Sequence, residues 1–146
     1  MLLLIALQAF QVAILLFHDW VPLGRLTDLP AVRRVHSSRA IALATIVGAV
    51  PALLGLIFTL TFLTHGWPHW YRTYLLWAYG FLFIGELQAW WLPYLLWPQP
   101  KRAAEYATMF GETHAFLPYR NGMRPNTLHF ALHVATLLTL LLLLIR

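Results

Sequence analysis

The chain has 146 residues, of which 60% are hydrophobic and 15% aromatic, while only 10% carry a charge. A soluble domain contains about 25% charged residues, so this chain has too few charges to cover a surface that faces water. With a mean hydropathy of +0.67, the composition excludes a soluble globular domain and a disordered segment, and it indicates a membrane protein. The absence of cysteine excludes disulfides, thiolate metal sites and cysteine nucleophiles.

Four apolar segments are predicted to cross the bilayer as helices. The first begins without the basic residues of a signal peptide and ends without a small-residue cleavage site, so we expect it to be retained. The last follows an Asn-Thr pair, at residues 126 and 127, of which either residue can cap a helix. The predicted fold is an all-α integral membrane protein, a single bundle of four transmembrane helices. Its spans are residues 1–17, 40–63, 74–97 and 128–145.

A short amphipathic helix is predicted before the last span, in the loop of residues 98–127. Pro100 suits the first turn of such a helix. The apolar side chains that then share one side are Tyr106, Met109 and Phe110. This pattern is typical of a helix that lies in the headgroup region of a bilayer. Further along the loop, Asn121-Gly122 predicts a tight turn.

The basic residues are concentrated in the loops of residues 18–39 and 98–127, which hold eight of the ten. These eight are Arg25, Arg33, Arg34, Arg39, Lys101, Arg102, Arg120 and Arg124. The positive-inside rule therefore predicts that both loops are cytoplasmic and that both termini lie outside, in a bacterial-type inner membrane. A net charge of +5 then indicates anionic lipid headgroups as the partner, rather than nucleic acid.

Small residues follow one face of the second predicted span, in steps of three and four. They are Ala44, Gly48, Ala52, Gly55 and Thr59. Such a face lets a neighbouring backbone approach closely, so it predicts a contact between helices. Pro51 in the same span removes one backbone hydrogen bond and can kink the helix.

Glu86 is the carboxylate that lies deepest inside a predicted span. An ionised carboxylate in hydrocarbon costs enough free energy that a partner or a proton is expected. The helical face of Glu86 includes Tyr79 and Trp90, which predicts that its side chain points into the bundle. Two interpretations stay open: a structural carboxyl held by a polar neighbour, or a catalytic, proton-carrying or metal-binding group.

A pair of histidines on the fourth predicted span suggests a metal site. His129 and His133 are four residues apart, so both imidazoles can reach one point. Glu86 and His18 are expected on the same side of the membrane, and they complete the predicted ligand set. The cofactor would be a divalent metal or haem, and ordinary hydrogen bonding between helices is the alternative.

Four further residues on the cytoplasmic side are candidates for the site. Asp19 and His114 could assist the metal ligands. Arg120 and Arg124 come just before the last span, where the positive end of the helix dipole disfavours a cation. A bound anion would relieve this repulsion, and we expect a lipid phosphate, with a phosphorylated or carboxylate substrate as the alternative.

Three functions stay open on these residues, and the sequence leaves undecided whether the protein is an enzyme. The first is a cytoplasmic-side intramembrane Glu/His site that binds a metal ion or haem and acts on a lipid-like or small substrate. The second is a proton-coupled carrier or channel in which Glu86 takes up the proton and the histidines relay it. The third is a non-catalytic subunit or scaffold. A homo-oligomer or a larger membrane complex is the expected assembly.

Overall fold

The computed structural model describes residues 1–145, and within that range it is all-helical, without a β-strand. This confirms the predicted all-α class. A 3₁₀ turn at Gly24–Leu26 precedes α2, and a π-helical turn at Leu87–Trp91 joins α4 to α5. The α-helices are α1 (Leu2–Phe17), α2 (Leu29–Val35), α3 (Ser38–Thr61), α4 (His69–Glu86), α5 (Leu92–Leu95), α6 (Pro100–Phe110) and α7 (Thr127–Leu144).

Two helices of the described residues, α3 and α7, are long and apolar enough to cross a membrane. The helix α1 is apolar but has only 16 residues. The third predicted span is divided, because α4 ends at Glu86 and the backbone then widens into the π-helical turn. By length and composition, the helices therefore indicate a membrane protein only weakly, and they do not confirm four spans.

Four helices close into a ring. The helix α1 packs against α3 and α7, and α4 packs against α7 and α3. One apolar cluster of the core contains Leu4, Tyr71, Leu75, Tyr79 and Leu143, and a second contains Val12, Leu15, Ala49, Ala52 and Leu132. Together the two clusters draw on all four helices, so side chains at the centre of the ring are shielded from every side.

The small-residue face predicted on the second span is confirmed in its C-terminal half. Its buried members are Ala52, Gly55 and Thr59. A methyl group on Gly55 would lie 3.0 Å from Cδ2 of Leu75, so α3 approaches α4 closely here. Ala44 is exposed, contrary to the prediction, because a cavity rather than a neighbouring helix lies beside this part of α3.

The helix α6 begins at Pro100, as predicted, and packs against α2 across one end of the ring. Met109 of α6 meets Val32 of α2 and Ile41 of α3 in a small apolar cluster. The apolar side of α6 is therefore covered by protein, and α2 and α6 together form a cap on the ring. The position of α6 in a headgroup region stays a prediction.

Two local predictions in front of α7 are confirmed. Asn121 and Gly122 have φ values of 52° and 74° and form a tight turn, which backbone hydrogen bonds between Arg120 and Met123 close. Glycine enters this left-handed region at no steric cost because it has no Cβ. Asn126 caps α7, since its Oδ1 accepts a backbone N–H of the first turn at 2.9 Å.

Candidate functional site

Buried polar side chains occupy the centre of the four-helix ring, and we call this set the polar track. It consists of Gln8 and Gln11 of α1, Thr59 of α3, Tyr71, Tyr79 and Glu86 of α4, and His133, Thr136 and Thr139 of α7. Glu86 is the most accessible of them, with 6% of its surface exposed. The polar groups of the ring thus face inward, where each needs a partner within the protein or a bound water.

Thr136 lies at the middle of the polar track and joins three helices. Its Oγ1 lies 2.8 Å from Oε1 of Glu86 and 3.1 Å from Oε1 of Gln11. The side-chain nitrogen of Gln11 donates to Oγ1 of Thr139 at 2.9 Å and to the Leu7 carbonyl at 2.9 Å. Because both amide hydrogens of Gln11 are used, its Oε1 is left to accept a hydrogen bond.

Three oxygens lie within hydrogen-bond distance of Oγ1 of Thr136, those of Glu86, Gln11 and the Leu132 carbonyl, so a proton on Glu86 reduces the competition for the single hydroxyl hydrogen. A carboxylic acid donates from Oε1 to the Thr136 hydroxyl, which then donates to Oε1 of Gln11. An ionised Glu86 would compete with the oxygens of Gln11 and Leu132 for that hydrogen, and it is the strongest acceptor of the three. Oε2 of Glu86 has no hydrogen-bond partner among residues 1–145, which suits the carbonyl of a neutral acid better than a carboxylate.

The polar track continues from Gln8 to Thr59. The hydroxyl oxygens of Thr59 and Tyr71 lie 2.5 Å apart, and both are within hydrogen-bond distance of the Gly55 carbonyl. Gln8 lies beside the hydroxyls of Tyr71 and Tyr79, yet neither its amide atoms nor the Tyr79 hydroxyl reach hydrogen-bond geometry with the described residues. Buried polar atoms of this kind are expected to bind ordered water.

A π-helical turn follows Glu86 directly, where the sequence predicts a continuous helix. In a π-helical turn the Gln88 carbonyl would accept a hydrogen bond from the N–H five residues later. That residue is Pro93, which has no N–H, so the carbonyl lacks this backbone partner. Nη1 of Arg102, on α6, donates to this carbonyl at 2.5 Å instead. The turn was not predicted, although Pro93 inside an apolar span indicates a local break in a helix.

The wide turn directs two tryptophans toward the histidines of α7. Nε1 of Trp91 donates to Nδ1 of His133 at 3.1 Å. The ring centre of Trp90 lies 4.5 Å from that of His129. Trp90 is 4% exposed and belongs to an apolar cluster with Tyr94 and Met123. Each of the two histidines is therefore in contact with a tryptophan from the turn that follows α4.

The structure does not bring the four predicted metal ligands to one point. Within residues 1–145, no group of three or more His, Asp or Glu side chains is placed to hold a metal ion. The ring centres of His129 and His133 are 6.1 Å apart, and those of His18 and His129 are 5.6 Å apart. Glu86 bonds to Thr136, one turn beyond the histidine pair. The metal or haem site stays a prediction.

The other candidates lie outside the polar track. Nδ1 of His114 lies 2.7 Å from Oγ1 of Thr127, so this histidine helps to fix the start of α7. The guanidinium of Arg124 lies 4.7 Å from the ring centre of Tyr119, a contact that attracts a cation to the ring face. Arg120 is exposed and belongs to the tight turn. Binding of an anion by these arginines stays a prediction.

Two members of the polar track, Glu86 and His133, were predicted as site residues, whereas the contacts that Gln11, Thr136 and Thr139 make between helices were not. The available signal was helical spacing: Gln8 and Gln11 are three residues apart, and so are Thr136 and Thr139. Each pair therefore shares one face of an otherwise apolar helix. Polar residues repeated on one face of such a helix indicate that this face turns toward other helices.

Comparisons with protein-family models, with curated proteins and with solved structures find no match for this chain. The inference of function consequently depends on the geometry of the polar track and of the cavity beside it.

Proposed function

We propose that the chain is an integral membrane protein whose four-helix ring spans the bilayer. Support comes from the distribution of polarity. Leu43 and Val47 of α3 are 63% and 65% exposed, and Phe81 of α4 is 65% exposed, whereas Gln11 has no exposed surface. In the most apolar stretch of α3, only 22% of the residues are buried. A core helix of a soluble protein would be covered, while a lipid-facing helix needs no such cover.

The spans of this proposal are α1, α3, α7 and the combined helix from His69 to Leu95. At 1.5 Å per residue, the combined helix is about 40 Å long, enough for a hydrocarbon core of about 30 Å. The basic loops of residues 18–39 and 98–127 would then face the cytoplasm and its anionic lipid headgroups. Both termini would lie outside, in a bacterial-type inner membrane.

Single cysteines will test this topology, because the chain has none of its own. A membrane-impermeant maleimide added outside intact cells is expected to label His65→Cys and to leave Gln99→Cys unlabelled. Both positions are exposed, so permeabilised cells should label both. Glu112→Cys, in the same loop as Gln99, is the matched control and should behave like it. Labelling of His65→Cys and Gln99→Cys from the same side would contradict four spans.

Within this fold we propose a proton-coupled carrier or channel in which Glu86 carries the proton. The observation that supports it is a series of hydrogen bonds inside an apolar ring, which joins Glu86, Thr136, Gln11 and Thr139. The Thr136 hydroxyl can accept from a protonated Glu86 and donate onward to Gln11. Glu86 would release its proton to the Thr136 hydroxyl and to bound water, while Gln11 holds that hydroxyl in place as a hydrogen-bond acceptor and stays a neutral amide. Water at Gln8 and Tyr79 would extend the series toward the other end of the ring.

Replacement of Glu86 by glutamine is expected to reduce proton flux to the rate of protein-free vesicles. Glutamine keeps the shape of the side chain but cannot release a proton from it. The flux is measured in reconstituted vesicles, as the change in an enclosed pH-sensitive dye after a pH step with a potassium diffusion potential. Glu112→Gln removes an exposed carboxylate outside the ring and should keep the wild-type rate.

Wild-type flux in the Glu86→Gln vesicles would contradict the proposed mechanism. If the protein is a carrier that couples protons to a substrate, it will pass few protons while that substrate is absent. A second measurement therefore detects protonation of Glu86 directly, without any flux. The infrared carbonyl band of a buried carboxylic acid should change reversibly with bulk pH in the wild type and be absent in Glu86→Gln. A band that is missing, or that ignores the bulk pH, would contradict both the carrier and the channel.

A homo-oligomer or a larger membrane complex is part of this proposal, since four helices make a small carrier.

The metal or haem hypothesis has less support in the geometry. Nδ1 of His133 accepts a hydrogen bond from Trp91, and Nδ1 of His129 lies 2.7 Å from Oδ1 of Asn126. Because Nδ1 of His133 accepts, the hydrogen of its neutral ring lies on Nε2, so this histidine has no free lone pair for a metal, whereas His129 keeps one on Nε2.

A further inference from the structure

A cavity of about 260 Å³ lies beside the polar track, at the end of the ring that the cap of α2 and α6 covers. Its apolar wall includes Trp90, Tyr106, Met109 and Phe110, and its polar groups include His18, Asp19 and His129. The exposed lining residues His36, Ala40 and Ala44 show that the cavity opens beside the first turns of α3. The proton pathway through Glu86 makes no use of this space.

His129 lines the cavity and keeps one hydrogen-bond acceptor without a partner among the described residues. Oδ1 of Asn126 accepts the backbone N–H of His129 at 2.9 Å and lies 2.7 Å from its Nδ1. An amide oxygen only accepts, so Nδ1 carries the hydrogen, and Nε2 of the neutral ring has a bare lone pair. Within residues 1–145, Nε2 has no hydrogen-bond partner. A ligand with an O–H or N–H group would supply the missing donor.

The other polar groups of the cavity balance each other. Nδ1 of His18 lies 2.7 Å from the Ile14 carbonyl, and its Nε2 lies 3.3 Å from Oδ2 of Asp19. Each ring nitrogen of His18 therefore lies beside an oxygen of the protein, and the Asp19 carboxylate lies beside the His18 ring. A charged ligand would therefore find no unpaired counter-charge in the pair, and an uncharged one is favoured.

We propose that this cavity binds an uncharged, planar ring bearing a hydroxyl group, such as the head of a phenol or quinol. The hydroxyl would donate to Nε2 of His129, while Trp90, Tyr106 and Phe110 contact the faces and edges of the ring. Pockets for drug-sized ligands have roughly 300–1,000 Å³, so this smaller volume limits the buried part to one or two rings. An apolar tail could leave through the opening beside Ala40 and Ala44.

A pair of probes that differ in one hydrogen-bond donor tests this proposal. Both 1-naphthol and 1-methoxynaphthalene present the same two rings, but only 1-naphthol can donate. Wild-type protein in lipid nanodiscs is expected to bind 1-naphthol about tenfold more tightly, the effect of one buried hydrogen bond. Binding is measured by titration calorimetry, with empty nanodiscs subtracted. In His129→Phe, 1-naphthol should fall to the affinity of the methoxy compound, whereas His65→Phe, at an exposed position, should keep the difference.

Equal affinities of the two naphthalenes for the wild type would overturn the proposal, and this comparison needs no variant. An unchanged affinity of His129→Phe for 1-naphthol would also overturn it. Tighter binding of the cation phenyltrimethylammonium would show a site for organic cations instead. The calorimetry is independent of proton flux, so its failure would leave the role of Glu86 standing, and a failure of the flux experiment would leave the cavity standing.

Discussion

Replacement of Thr136 by valine is expected to lower the free energy of unfolding by about 3 kcal/mol. Valine has nearly the same shape, so the change removes only the hydroxyl at the centre of the polar track. Glu86 then loses the acceptor for its proton, and Oε1 of Gln11 loses its donor. Each buried group left without a partner costs about 1–3 kcal/mol, which sets the size of the effect.

Thr61→Val is the matched control, because the Thr61 hydroxyl donates to the Ile57 carbonyl on the exposed side of α3. Its expected effect is within about 0.5 kcal/mol. Both variants are measured by reversible unfolding in mixed detergent, followed by tryptophan fluorescence. A third variant that also carries Gln11→Leu, Glu86→Leu and Thr139→Val should recover part of the loss, because the hydrogen-bonded side-chain partners are then removed together. If Thr136→Val were as stable as the control, the relay proposed through this hydroxyl would lose its basis.

Replacement of Gly55 by leucine is expected to lower the free energy of unfolding by at least 2 kcal/mol. Even the first carbon of a side chain there would lie 3.0 Å from Cδ2 of Leu75 and 3.7 Å from Cε2 of Tyr79. The remaining carbons of leucine would force α3 away from α4, and overpacking of this kind costs about 1–3 kcal/mol or more. The expected readout is a lower melting temperature in detergent, measured by near-ultraviolet circular dichroism.

Gly85→Leu is the control for this substitution, since Gly85 is exposed on α4 and a methyl group there would meet nothing within 4 Å. It should melt within a few degrees of the wild type, which corresponds to about 0.5 kcal/mol. Equal melting temperatures for Gly55→Leu and Gly85→Leu would show that α3 and α4 are not in close contact at this position.

The helical class and several local details could be predicted from the sequence because they depend on neighbours in the chain. Pro100 starts α6, Asn126 caps α7, and Asn121-Gly122 forms its turn, each through contacts within a few residues. The inward direction of Glu86 also follows from the spacing of one helix. These features need only local geometry, which the order of residues determines directly.

The partners of the candidate site could not be predicted, since they come from distant parts of the chain. The amide of Gln11 meets Thr139, 128 residues away, and Trp91 meets His133, 42 residues away. The metal hypothesis placed the histidine pair and Glu86 on the same side of the membrane, but the segment with the π-helical turn brings a tryptophan to His133 instead. Packing of whole helices, rather than spacing within one, decides such contacts.

The π-helical turn at Leu87–Trp91 limits how many residues this segment of the chain can contain. Residues before the turn place Glu86 toward Thr136, and residues after it place Tyr94 against the Pro118 carbonyl. Insertion of one more residue between them would rotate everything beyond by about 100°. Loss of one residue would instead convert the wide turn into an ordinary α-helical turn and keep both ends in place. Natural variants should therefore keep the interval between Glu86 and Tyr94 or shorten it by one residue, and they should not lengthen it.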